Sequence, residues 1–148
     1  KQEGISTAIE TTGFAPASVF HRLMPDIDLY LFDCKQYDCQ KHLAATGVPN
    51  DQILQNLKTA LQAGKDVIVR IPVIPGVNSS LEDAEGFCAV LRPLGAKRIN
   101  LLPFHQFGER KYDFLNRNYQ LRGISALHES DLTAFRDIFV KNGFDCYF

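Results

Sequence analysis

Apolar residues recur along this chain with two spacings, and segments of the two kinds alternate. Gly4 to Glu10 is rich in β-forming residues and stops at the turn signal Thr12-Gly13, which predicts a first strand. A short helix over about residues 16–24 follows. Ile27-Asp28-Leu29-Tyr30-Leu31-Phe32 is nearly unbroken apolar sequence, the pattern of a strand buried on both faces. Beyond Asn50, a candidate N-cap, Ile53, Leu54, Leu57, Ala60 and Leu61 fall at helical spacing, and Gly64 is the stop. Val67 to Ile74 reads as the next strand. Pro72 cannot donate a ladder hydrogen bond, so the regular part is expected to end near Ile71. Ser79 or Ser80 caps a helix whose apolar face carries Ala84, Phe87, Cys88 and Leu91. Arg98 to Pro103 is a fourth strand, and a polar loop with Tyr and Arg runs to about residue 126. A last helix over about residues 130–142 buries Leu132, Phe135, Ile138 and Phe139 and ends at Gly143, after which Phe144 to Phe148 adds a short strand.

Strands alternating with helices imply right-handed crossovers and a parallel sheet, so the fold class is α/β. Four strands cannot close a barrel. The sheet is either a small open one or a part of a larger barrel. At 148 residues and 45% hydrophobic, residues 1–148 form one domain. A net charge of −1 gives no bulk drive toward nucleic acid or an anionic membrane, and no apolar run reaches the roughly 18–20 residues that span a bilayer. The chain begins at Lys1 without an initiator Met, inside what already reads as an element, and is expected to be a piece of a longer protein. Cys34, Cys39, Cys88 and Cys146 match no zinc, CxxC or cluster spacing; reduced thiols in a cytoplasmic protein are expected.

In parallel α/β folds, functional residues gather at the C-terminal ends of the strands. Here these ends carry Glu10-Thr11-Thr12-Gly13, Asp33-Cys34-Lys35, Arg70 and Pro103-Phe104-His105. Such a rim suits a zwitterionic ligand, with Lys or Arg for a carboxylate and Asp or Glu for an ammonium or hydroxyl. Each residue also has a plainer role. Asp33 and Lys35 lie two apart and form a structural ion pair; Arg70 pairs with a neighbouring carboxylate; His105 is a hydrogen-bonded loop residue; Glu10 caps a helix or faces solvent. His21, His42 and His128 read as helix-surface residues, and Cys34 as packing. Only the joint placement favours a site.

The ordered set Glu10-Thr11-Thr12-Gly13, Asp33-Cys34-Lys35, Thr46-Gly47-Val48, Arg70 through Asn78 and Leu101-Leu102-Pro103-Phe104-His105 resembles the glycyl-radical enzyme activating enzymes of the radical S-adenosylmethionine superfamily. Phe107-Gly108-Glu109-Arg110-Lys111-Tyr112 and Tyr119-Gln120-Leu121-Arg122-Gly123 continue the match, which covers essentially the whole chain. The resemblance implies a partial (β/α)6 TIM-type barrel, of which this chain would be strands three to six plus the C-terminal helix. It implies S-adenosylmethionine bound to a 4Fe–4S cluster, one-electron cleavage of that cofactor, and abstraction of hydrogen from a backbone glycine of a partner such as pyruvate formate-lyase. The implied electron donor is of the flavodoxin type, and the setting is anaerobic metabolism.

By the same resemblance Lys35 holds the methionyl carboxylate, while Asp33 and His105 lie near the ribose and methionyl groups. Glu10 and Thr11 contact the cofactor, and Arg70 sits where it meets the incoming glycine. Glu10 and Asp33 are candidate ligands of a monovalent cation, although many relatives have Asp in place of Glu10. The CxxxCxxC cluster loop and the glycine-rich strand-two motif are absent and would precede Lys1, so this chain alone is expected to be inactive. Two other readings stand beside this one: a Schiff-base aldolase-like barrel with Lys35 as nucleophile, and a non-catalytic α/β binding module.

Overall fold

A computed structural model describes residues 2–148. The elements, in order, are β1 (Ala8–Thr11), α1 (Ala17–Leu23), a 3-10 turn (Met24–Asp26), β2 (Leu29–Asp33), α2 (Cys39–Thr46), α3 (Asp51–Gln62), β3 (Asp66–Val73) and α4 (Leu81–Leu94). Then come β4 (Arg98–Pro103), a 3-10 turn (Gln106–Gly108), α5 (Glu109–Phe114), a 3-10 turn (Glu129–Leu132), α6 (Thr133–Lys141) and β5 (Asp145–Tyr147). The five strands form one parallel sheet in the order β1-β2-β3-β4-β5, so each strand lies beside its neighbours in sequence. No helix among the described residues is long and apolar enough to cross a membrane.

Side chains alternate across a strand, and here one face of the sheet is sealed while the other is not. Tyr30 and Phe32 of β2, Val69, Ile71 and Val73 of β3, and Ile99 and Leu101 of β4 are buried. They share one core with Phe20 of α1, Leu57 of α3, Phe87 and Leu91 of α4, and Phe135 and Phe139 of α6. Each large side chain buried there contributes roughly 1.5–3 kcal/mol. The intervening residues Leu29, Leu31, Ile68, Arg70, Asn100 and Leu102 stay partly exposed. This corrects the expectation that β2 is buried on both faces: the helices cover one side only.

β3 runs through Pro72 to Val73, past the expected end. The backbone N–H of Cys34 donates to the Arg70 carbonyl (2.8 Å), so Arg70 directs its backbone groups toward β2. Pro72, two residues on, presents its ring nitrogen to the same side, where β2 has already ended at Asp33. No ladder bond is lost. Its carbonyl accepts from the side-chain amide of Asn78 (2.9 Å).

Ser80 caps α4 in a capping box with Asp83. Asn50 precedes α3, but its side chain makes no cap; the amide instead donates to the carbonyls of Gln36 (3.1 Å) and Tyr37 (2.9 Å). Two helices lie outside the ranges expected from the apolar pattern: α2, where only His42 reads as helical, and α5.

The turn after β1 depends on Gly13. Its φ is +70°, and a Cβ there would lie 2.1 Å from the Phe32 ring. Gly13→Ala is therefore expected to destabilise the chain by about 2–4 kcal/mol, combining left-handed strain with overpacking. Urea denaturation checks this through a lower midpoint at an unchanged slope.

Candidate functional site

At the C-terminal ends of β1, β2 and β3, four charged side chains of the open face meet. Asp33 and Arg70 are register partners on adjacent strands. Arg70 approaches a single Asp33 oxygen, Oδ1, from both Nε (3.0 Å) and Nη2 (2.9 Å). Its remaining terminal nitrogen, Nη1, donates to Glu10 Oε1 at 2.9 Å, reaching diagonally across β2. The other Asp33 oxygen, Oδ2, accepts from Lys35 Nζ at 3.4 Å. Two carboxylates and two cations leave the group formally neutral.

The four differ in how firmly they are held. The Arg70 and Asp33 side chains are only 16% and 20% exposed, whereas Lys35 is 42% and Glu10 67% exposed. Arg70–Asp33 is thus the fixed pair, and the Lys35 ammonium is the cation with room to take a second anion.

The Arg70 hydrogen bond, and then its charge, hold the Glu10 carboxyl below the ordinary carboxylate value against a small opposing desolvation. For Arg70, burial alone would lower the pKa. The hydrogen bonds and charges of Glu10 and Asp33 outweigh it and leave the value raised. A depressed carboxyl stabilises the fold above its unfolded value, and that contribution disappears as pH falls through the folded value. In Arg70→Gln the Glu10 carboxyl is accordingly expected to titrate at higher pH than in the parent sequence. Carbon-detected NMR of the side-chain carboxyl measures the difference.

Buried amides anchor the segment that presents Lys35. Asn78, fully buried, donates to the Lys35 and Pro72 carbonyls (both 2.9 Å) and accepts from the Ile74 N–H (2.7 Å). Gln36, also buried, donates to the Val77 carbonyl (3.3 Å) and accepts from the Tyr37 N–H (2.8 Å). At the end of β1, Asn56 of α3 donates to the carbonyls of Gly13 and Ala15 (both 2.8 Å) and pins the loop that follows. These Asn and Gln residues escape a sequence reading, because an amide reveals its backbone partners only once the strands are assembled.

Two expected site residues stand apart from the quartet. Thr11 turns to the opposite face of β1 from Glu10, and its hydroxyl accepts from the Gly13 N–H (2.9 Å). His105 is exposed beyond β4; its Nδ1 accepts from the Phe107 N–H (3.3 Å), and its ring lies 4.4 Å from that of Phe107. Glu10 and Asp33 are bridged by the Arg70 guanidinium. His42 is a correction: it is buried at 3% exposure within α2, not on a helix surface, whereas His21 and His128 are exposed.

No protein-family model matches the chain. It is 41% identical over 136 residues to the choline trimethylamine-lyase activating enzyme of Oleidesulfovibrio alaskensis, which covers 89% of this chain and 44% of that protein. It is 37% identical over 145 residues to the 4-hydroxyphenylacetate decarboxylase activating enzyme of Clostridioides difficile, covering 97% and 46%. The crystal structure of a domain of pyruvate-formate lyase-activating enzyme from Bacteroides vulgatus superposes with a TM-score of 0.78 at 26% identity, over 99% of this chain and 82% of that one.

The one-sided parallel sheet is thus of the α/β partial-barrel class found in radical S-adenosylmethionine proteins. Within that class, the chain's homologues at 36–41% identity are glycyl-radical enzyme activating enzymes. The chain spans about half the length of the curated relatives it matches.

The quartet fits one of the two cofactors of that family. An exposed ammonium beside a fixed carboxylate–guanidinium pair matches the carboxylate and hydroxyls of S-adenosylmethionine. The described residues do not fit an iron–sulfur cluster. They include no group of three His, Cys, Asp or Glu side chains able to hold a metal. Burial, with Asp33 adding to it, pushes the Cys34 thiol up to about 12; burial also raises Cys88 to about 11 and Cys146 to about 12.

Proposed function

We propose that this chain is the C-terminal part of an activating enzyme that reductively cleaves S-adenosylmethionine and takes hydrogen from a backbone glycine of a glycyl-radical enzyme. In this reading β1 to β4 are strands three to six of the partial barrel, and an upstream part holds the cluster and meets a flavodoxin-type donor. S-adenosylmethionine, when bound, supplies the radical chemistry. The residues of this chain bind and orient. Lys35 takes the methionyl carboxylate, Asp33 accepts from hydroxyl groups, and Arg70 holds Asp33 and Glu10 in place at the edge where the partner's glycine arrives. His105 and Thr11 flank that edge. The chain alone has no route to the radical step.

The observation that carries this reading is the quartet itself, built on open-face strand ends with Lys35 as its exposed cation. Lys35 Nζ already donates to a carboxylate, which suits anion binding better than nucleophilic attack on a carbonyl. Calorimetric titration of S-adenosylmethionine into the chain tests it. Lys35→Met is expected to weaken binding about tenfold or more, as for loss of a charge-assisted hydrogen bond. Equal affinity in Lys35→Met would sink the proposal.

A further inference from the structure

Beside the quartet, and sharing Asp33 and Lys35 with it, lies a cavity of about 260 Å³ whose floor the cofactor reading does not use. Phe14, Asp33, Lys35, His42, Val48 and Ile53 line it. The burial of these residues orients it. Phe14 is 52% exposed and the Lys35 side chain 42%, whereas His42 and Ile53 are 3% and 4% exposed. Phe14 and Lys35 therefore form the mouth, and His42 and Ile53 the floor.

The floor has one polar feature, and the structure defines its chemistry. His42 Nδ1 lies 2.7 Å from the Val48 carbonyl oxygen. A carbonyl only accepts, so Nδ1 carries the hydrogen, and Nε2 is the lone-pair nitrogen of the neutral ring. Nε2 makes no hydrogen bond among the described residues. An unpaired acceptor on a ring that is 3% exposed, at the bottom of a largely apolar pocket, selects a neutral donor at the tip of an apolar body. A cationic donor would have to pass the Lys35 ammonium at the mouth. The volume is below the roughly 300–1,000 Å³ of whole-ligand sites and suits a single side chain.

We infer that this cavity receives a tyrosine side chain from the loop of the protein partner, its ring against Phe14, Val48 and Ile53 and its hydroxyl donating to His42 Nε2. This rests on the functional reading above, since Asp33, at the edge assigned to the partner's glycine, also lines the cavity. The pocket would then anchor the loop next to the cofactor and select among partners.

Two peptide probes test it, Ac-Gly-Tyr-Gly-NH2 and Ac-Gly-Phe-Gly-NH2, titrated into the chain and followed by amide and methyl NMR. The tyrosine probe is expected to bind about 3- to 10-fold more tightly, the worth of one hydrogen bond, with shifts at Phe14, Val48 and Ile53. His42→Asn keeps a side-chain N–H for the Val48 carbonyl but has no acceptor at the position of Nε2, its amide oxygen lying closer to the backbone. In that variant the two probes are expected to bind equally. Equal binding to the parent sequence, a tyrosine preference that survives His42→Asn, or shifts absent from the cavity would each overturn the inference. The S-adenosylmethionine titration on the same samples separates the two claims. Lysine-dependent cofactor binding without a tyrosine preference overturns the pocket alone, whereas the preference without cofactor binding overturns the functional reading and leaves the pocket standing.

Discussion

Asn78→Ala is expected to lower the stability of the chain by about 3–5 kcal/mol, a large share of the roughly 5–15 kcal/mol available to a domain of this size. The reason is the number of backbone groups that depend on one amide. Asn78 is fully buried, and its removal leaves the Lys35 and Pro72 carbonyls and the Ile74 N–H without that partner. An orphaned buried group costs more than a hydrogen bond contributes. Asn78→Asp is expected to be no better, since it turns an acceptor toward two carbonyls that need a donor. Thermal unfolding should show a drop on the order of 10–15 °C in midpoint for Asn78→Ala. A drop under a few degrees would mean that water replaces the amide. Because the same bonds tie the end of β2 to the end of β3, the substitution is also expected to loosen Lys35, seen as weaker S-adenosylmethionine binding even where the fold survives.

Arg70→Met carries the second large effect. It removes the firmer of the two partners of Asp33 among the described residues and the ion-pair partner of Glu10, leaving two carboxylates on one face with an exposed ammonium 3.4 Å from one of them. Breaking a partly buried pair from one side is expected to cost about 2–4 kcal/mol near neutral pH. The penalty should shrink in acid. The Arg70 bond depresses the Glu10 pKa, so its contribution is full above the ordinary carboxylate value near 4.5 and fades as pH falls through the lower folded value. Denaturation curves for both proteins at several pH values should therefore draw closer as Glu10 protonates. A gap that stays constant into acid would assign the loss to packing of the Arg stem. In a parent protein of the kind proposed, misplacing this edge is expected to slow glycyl-radical formation on the order of 100-fold, counted by electron paramagnetic resonance of the partner.

Much of the fold is legible in the sequence, because strands and helices with one buried face announce their period. β2, β3, β4, α3, α4 and α6 all carry large apolar residues at positions that later meet in one core. The elements that escape notice lack such a stripe. α2 reads Cys-Gln-Lys-His-Leu-Ala-Ala-Thr and owes its ends to local chemistry: the Asp38 side chain accepts from the Lys41 N–H, and Gly47 closes it at φ +81°. α5 lies among exposed residues and buries none. Pro72 misleads for a different reason. Whether a strand tolerates proline depends on which neighbour its nitrogen faces, and that is a property of register.

The strand-end placement of Asp33, Lys35 and Arg70 is legible from alternation alone. The reach of Arg70 across β2 to Glu10 is not, since it spans 60 residues and needs the assembled sheet. His42 looks like a surface residue because α2 has no apolar stripe from which to judge its inward side. Its place in the interior follows from a bond to the Val48 carbonyl, on the loop that closes the helix.

The strand order matches the chain order, so no pairing in the sheet waits for a distant segment. A sheet of this kind can be laid down from one end, each βα unit docking on the one before it as soon as it is complete. Loop-closure cost is then spread over many short steps and is not concentrated in one long one. Such a sheet also has no seam joining its first and last strands. Cutting it between units removes neighbours at one edge and leaves every other pairing intact, much as in a stack of repeats. That additive character lets a span of βα units hold its pairings while covering only part of a relative's length.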